Sequence, residues 1–350
     1  MIWLTWRQFR VQLLVVASAI AAAIVFFAVT GPGLADDYER LTTEFIRNLG
    51  LQRLNPTLYI IGQALLYAVP PVVGAFWGAP LIARELETGT HRLVWSQSIG
   101  RRRWLATKVG FAGLSAIAIT GALSLAVTWW ADPIDDALNA GQDSNTFLPR
   151  MFPPVFSARG LVPVGYAAFA FALGVAVGLV VRRTLVALAV TLATVILVQI
   201  LTPTFIRPHL MEPTDRYIVA STDNIRGFML DGSGPDPQVK QIEVATGVIG
   251  AWKLSDETVD KSGKALSTLP SWTIDCEPGP PPGMRPETAP TNPKADACFQ
   301  RMADEGYRQH VRYFTQDTFW ALQWREFGLF VLLALGLTGF SFWRIRRDLS

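Results

Sequence analysis

The sequence predicts an all-α integral membrane protein with six transmembrane helices. Three observations lead there. Half of the 350 residues are hydrophobic and only 17% are charged, whereas a soluble domain needs about a quarter of its residues charged. The mean hydropathy is +0.28. The charges are also segregated, with long runs carrying none and others densely charged. That pattern excludes a disordered chain, a collagen-like chain and a small disulfide scaffold.

A helix needs about 20 apolar residues to cross roughly 30 Å of hydrocarbon. Six stretches free of Asp, Glu, Lys, Arg and His come close: 11–29, 58–83, 109–130, 160–181, 184–202 and 327–343. The first follows Arg7 and Arg10, and Gly33-Leu34-Ala35 has the small-x-small form of a signal-peptidase site. Its apolar run exceeds the roughly 7–15 residues of a signal peptide, so a retained span is expected. In the second span, Pro70-Pro71 and Pro80 are expected to kink the helix and free backbone groups. The polar groups within the spans, Gln63, Ser115, Thr120, Ser124, Thr191, Thr194 and Gln199, are hydroxyls and amides. Such groups join helices more often than they carry a substrate. No ionisable residue stands at membrane depth, where ion-driven transporters usually keep one.

Charge sets the expected orientation, with N- and C-termini both cytoplasmic. The cytoplasmic pieces 1–10, 84–108, 182–183 and 344–350 then hold 13 Lys/Arg against three acids, and the outside pieces hold 18 against 25. Trp129, Trp130, Trp324 and Trp343 stand at span ends, where indoles favour the headgroup zone.

Residues 1–10 read as an amphipathic interfacial segment, with Ile2, Trp3, Trp6 and Phe9 on one face and Thr5, Gln8 and Gln12 on another. The cytoplasmic loop 84–108 carries Glu85 and Glu87, then Gly89-Thr90, then Leu93, Val94 and Trp95, then Arg101-Arg102-Arg103, Trp104 and Lys108. These apolar and charged anchors suit short surface helices and a docking surface for a cytoplasmic partner.

Residues 30–57 and 131–159 read as polar links, and 203–326 forms a large extracellular segment between helices 5 and 6. It is expected to hold one strand at 242–249, a proline-rich irregular stretch at 278–293, and a helical pattern from Ala295 that leads into the last span. Cys276 and Cys298 both fall in this segment. That compartment permits disulfides, so a bridge between them is expected.

Enzymatic devices are missing from the sequence. There is no G-x-x-x-x-G-K-[ST] phosphate loop, since Gly263-Lys264 lacks both the upstream glycine and the following hydroxyl residue. H-E-x-x-H and C-x-x-C do not occur, and His91, His209 and His310 are far apart. No catalytic, metal or cofactor-binding residue is therefore assigned, and no nucleic-acid partner is expected.

The arrangement resembles the permease subunit of bacterial type-2 ATP-binding-cassette (ABC) exporters. The opening MIWLTWRQFR resembles that of a bacterial branch. Glu85-Leu86-Glu87-Thr88-Gly89-Thr90, with Arg101 and Lys108 downstream, resembles the family's E-x-E-x-G-T…R…K stretch. Arg312-Tyr313-Phe314, Phe319 to Glu326, and Trp343 to Arg347 resemble the branch's C-terminal signature. The resemblance is weakest over 203–293. It implies export of an amphiphilic or lipid-like substrate from the cell membrane, using ATP hydrolysed by a separate cytoplasmic ABC ATPase. ATP and magnesium would sit on that partner, with no cofactor on this chain. The permease would work as a homodimer or paired with a second permease, in contact with membrane lipid. Glu85, Glu87, Gly89, Thr90, Arg101, Arg102, Arg103 and Lys108 would form the ATPase-coupling loop, with Glu85 and Glu87 meeting basic groups on the ATPase and the arginines meeting acids or anionic lipid. Two other classes fit the same residues. A secondary transporter would work without an ATPase, and a membrane-anchored receptor or assembly factor would act through 203–326.

Overall fold

The computed structural model describes residues 2–90, 100–142, 144, 146–231, 238–276 and 293–347. The middle of the 84–108 loop, with His91, Leu93, Val94 and Trp95, lies outside the described residues, as do 278–292 of the proline-rich stretch. The chain divides into two compact units, one of residues 1–211 with 317–350 and one of 212–316.

The first unit is helical. Its long elements are α1 (Ile2–Leu41), the short α2 (Phe45–Leu51), α3 (Leu54–Val72), α4 (Ala79–Glu87), α5 (Arg101–Asn139), the short α6 (Pro153–Ser157), α7 (Val162–Val181), α8 (Thr184–Leu201) and α10 (Phe319–Arg347). The described residues contain six helices long and apolar enough to cross a membrane, as expected. Five of the six outrun their uncharged cores, and α7 starts two residues inside its own. Residues 2–10, expected as a separate piece, continue into α1 without a break, because the chain has no glycine or proline before Gly31. Much of 30–57 and 131–139, expected as polar links, is helical too.

Between α3 and α4 the chain makes π-helical turns at Val73–Gly78, flanked by Pro70-Pro71 and Pro80. Proline cannot donate a backbone N–H, so the ladder is interrupted here and the wider turn takes up the mismatch. A second π segment, Thr202–Ile206, follows α8 at Pro203.

Helix α7 is the hub. Its apolar window is 67% buried, against 6% for α1. Small residues let it approach its neighbours closely. Gly74 and Gly78 lie against the backbone of Ala170 and Phe171, and Gly174 and Gly178 lie against Gly74, Gly78 and Ala79. Two apolar cores flank it. One joins Phe27, Phe45, Leu58, Leu66, Leu123 and Trp130. The other joins Trp77, Ile82, Trp104, Phe171, Leu179 and Ile345.

Some of the span hydroxyls and amides do join helices. Ser124 Oγ donates to Gly160 O at 2.6 Å, and Gln199 Nε2 donates to Tyr67 O at 3.2 Å. Ser115, Thr120 and Thr194 instead turn back to carbonyls four residues earlier in their own helices. Trp129, Trp324 and Trp343 stand exposed, but Trp130 is buried and donates to Thr30 Oγ1 at 3.0 Å, and α5 runs on past Trp129 and Trp130 to Asn139.

The second unit holds more strand than the single one expected. It holds β1 (Thr214–Ile218), β2 (Ile225–Asp231), β3 (Gln238–Val244), β4 (Trp252–Val259), α9 (Pro293–Asp304) and β5 (Arg308–Phe314). An antiparallel sheet runs β1-β5-β4, and β2 and β3 pair as a hairpin. Of the strand expected at 242–249, 242–244 form the end of β3, while 245–249 lie in the loop beyond it. The helical pattern read through 295–322 breaks at Gly306, whose φ of +85° reverses the chain. Beyond it Gln309, Val311 and Tyr313 are buried on alternate positions of the central strand, the period of a strand.

Cys276 and Cys298 are bridged, joining the turn at Ser271–Cys276 to α9 beside Phe299 and Val311. The cysteines are 22 residues apart, so a Cys276→Ala/Cys298→Ala chain should lose about 3 kcal/mol of stability in this unit. Hydrogen exchange at Ile242 and Val311 amides should quicken, while exchange in α7 stays as it was. Unchanged protection at both strand positions would contradict this.

Candidate functional site

The segment expected to couple to an ATPase is framed by α4 and α5. Helix α4 stops where Thr88 turns back on it: Thr88 N and Oγ1 both donate to Arg84 O, at 3.0 and 2.9 Å. Gly89 follows with φ +72° and its N–H reaches Leu86 O at 3.4 Å. This left-handed residue just past a helix end is a glycine stop, and Thr90 Oγ1 lies 3.1 Å from Thr88 Oγ1. So Gly89 and Thr90 terminate α4.

Glu85 and Glu87 lie two residues apart on that last turn. Positions i and i+2 do not share a helix face, and the two carboxylates meet different neighbours. Glu85 accepts from Lys108 Nζ on α5; the two side chains are 15% and 6% exposed. The Lys108 ammonium also stands 5.2 Å from the Trp104 ring centre. Glu87 Oε2 accepts from Thr184 N at 2.9 Å and from Thr184 Oγ1 at 2.5 Å. Thr184 is the first residue of α8, after Arg182 at φ +57°. The structure therefore brings Glu85 and Lys108 together and directs Glu87 to the α7–α8 turn. Each carboxylate is thus engaged within the chain.

The arginines are placed differently. Arg101, Arg102 and Arg103 occupy the first turn of α5, with Arg102 and Arg103 exposed. Cations at a helix N-terminus oppose the helix dipole, so helix stability does not account for them. Arg84, Arg182, Arg183, Arg346 and Arg347 are also exposed. Ile345, between Arg344 and Arg346, packs with Trp104 and Leu105 of α5.

Two buried ion pairs were not foreseen from the sequence, and their residues all lie outside the uncharged windows. Arg207 and Glu326 are both wholly unexposed. Arg207 Nε donates to Glu326 Oε2 at 2.6 Å and its Nη2 donates to Glu326 Oε1 at 3.0 Å. Arg207 also donates to Ser157 Oγ at 2.6 Å and Pro153 O at 3.1 Å, and stacks 4.2 Å from the Phe156 ring centre. Tyr166 OH donates to Glu326 Oε1 at 3.1 Å. One turn earlier, Gln323 Oε1 accepts the N–H groups of Leu161 and Val162 at 2.9 and 3.0 Å, and its Nε2 donates to Phe156 O. The second pair, Arg159 and Asp135, stands 3.6 Å apart, with Arg159 over the Tyr59 ring. A signal was present for the first pair. Phe319, Gln323, Glu326 and Phe330 recur at helical spacing, which marks them as one inward stripe.

A family model described as ABC-2 membrane transporter related matches residues 14–207. That stretch is more than half of the chain. The chain belongs to this family. As an ABC-2 permease it is a multi-pass membrane protein and a transport subunit. Comparison with curated proteins and with solved structures finds no match. All eight loop residues of the permease, Glu85 to Lys108, fall within the matched stretch, and Arg207 is its last residue. Glu326, Gln323 and the Cys276–Cys298 bridge lie beyond it. Among the described residues there is no group of three or more His, Cys, Asp or Glu placed to hold a metal ion.

Proposed function

We propose that this permease is the membrane half of an exporter that moves an amphiphilic or lipid-like substrate outward, driven by a separate cytoplasmic ABC ATPase docking on 84–108. The observation that carries this reading is the frame of that segment within the matched family stretch. Its entry helix is fixed to two neighbouring spans, and its exit begins with three arginines on a dipole end that disfavours them. Arg102 and Arg103 are then the partner contacts, and the surface that receives them is acidic. ATP and magnesium sit on the partner. Both termini lie in the cytoplasm by the positive-inside rule, which puts residues 212–316 outside. The long uncharged cores of the spans suit a substrate with apolar chains. Two copies, or this permease and a second one, complete the path.

The test is co-expression with ABC ATPase subunits from the same genome, followed by reconstitution with a short-chain fluorescent phospholipid. Outward movement is expected only with both subunits and ATP. Arg102→Glu/Arg103→Glu should weaken ATPase association roughly tenfold by pull-down and binding titration. Lipid movement by the permease alone, without ATP, would contradict the reading.

A further inference from the structure

We propose that Glu85 and Glu87 are internal ties that make α4, α5 and the α7–α8 turn move together, so that a displacement of the 84–108 segment reaches three spans at once. This rests on reading that segment as the place where the ATPase delivers its motion.

The spacing supplies the device. Two residues apart on one helical turn, the carboxylates leave α4 in different directions. Glu85 takes the Lys108 ammonium, one turn and more into α5. Both groups are largely covered, so salt screens this pair less than a surface pair. Glu87 acts as a borrowed cap for α8. The first N–H groups of a helix have no partner within it, no side-chain cap comes from Arg183 itself, and Glu87 takes both the Thr184 N–H and its hydroxyl. A carboxylate at that end is also favoured by the helix dipole.

The packing behind the ties is stiff. Gly178 on α7 lies against the backbone of Ala79 and against Ala83 on α4, and Ala187 on α8 shares their small cluster. Contacts between backbones have no side chain to yield, so α4 cannot slide on α7 without carrying it. The stiff block ends at Thr88. Gly89 is left-handed, and among the described residues nothing stands where its side chain would be.

The ties can be tested on the full-length permease in lipid nanodiscs, alone and with its ATPase. Glu87→Ala should speed hydrogen exchange of the Thr184 amide and its first-turn neighbours at least tenfold, and Glu87→Gln, which keeps an acceptor oxygen, should leave it near the parent value. In the complex, transport per ATP hydrolysed should fall at least fivefold in Glu87→Ala and recover in Glu87→Gln. For the other tie, Glu85→Lys should fall likewise and the swap Glu85→Lys/Lys108→Glu should recover. ATPase capture should match the parent chain throughout. Unchanged exchange in Glu87→Ala overturns the tie. Loss of ATPase capture in both Ala and Gln variants overturns it too, because that is the behaviour of an ionic contact to the partner. If the parent chain never captures an ATPase, the coupling role falls with the functional reading, while the exchange result still decides whether the tie itself exists.

Discussion

Arg207→Met is expected to destabilise the helical unit by about 3–5 kcal/mol, one of the two largest single-residue effects in the chain. Arg207 and Glu326 are both fully covered, and every donor direction of the guanidinium that the fold offers is answered by Glu326, Ser157 or Pro153. Removing the cation leaves a fully covered carboxylate that keeps the Tyr166 hydroxyl as a donor but no cation. Glu326→Leu should cost a similar amount for the converse reason. The double variant Arg207→Met/Glu326→Leu should recover much of the loss, since a buried pair replaced by apolar groups of similar volume is often near neutral. Thermal unfolding in detergent, run as a double-mutant cycle, measures this. Additive losses in the double variant would show that the two residues act separately.

The second large effect is expected at Gly174. A Cβ there would lie 2.3 Å from Gly74 O and 2.6 Å from Ala79 N. Those obstacles are backbone atoms, which no rotamer change can move aside. Gly174→Val should therefore force α7 away from the α3–α4 turns, at a cost of about 3 kcal/mol or more, and yield little monodisperse protein. Gly78→Val meets Phe171 O at 2.5 Å and should behave alike. Gly336→Ala and Gly339→Ala on α10 are the controls. Nothing lies within 4 Å of the added carbon at either site, so size-exclusion profile and melting temperature should hold. A Gly174→Val chain that melts with those controls would refute the close-packing account.

The six spans were legible because a span obeys one rule: its backbone bonds close within itself, and its side chains tolerate hydrocarbon. An uncharged window of adequate length is enough to see that. The close approach of α3–α4 to α7 could have been read as well, from Gly74-x-x-x-Gly78 and Gly174-x-x-x-Gly178.

The buried ion pairs were harder. Arg207 and Glu326 stand just past the ends of uncharged windows, where a charge normally marks the water boundary. Only the tertiary fold brings two residues 119 apart into contact. The acids of the loop show the same limit from the other side. Glu85 and Glu87 look like surface charges in sequence, and their neighbours Lys108 and Thr184 become visible only once α4 is packed. In the 212–316 unit, Met302, Tyr307, Val311 and Phe314 mimic helical spacing. Gly306 and the pairing of β5 between β1 and β4 override it, as tertiary context overrides a weak local preference.

The same 119-residue interval sets a timetable for synthesis. At about 5–20 residues per second, Glu326 leaves the ribosome roughly 6–24 s after Arg207. During that wait the guanidinium lacks its carboxylate partner. The bundle therefore cannot be sealed in the order in which its helices are made. A chain truncated before α10 keeps Arg207 beside Ser157 and Pro153 but without Glu326, and should unfold more readily than the full bundle.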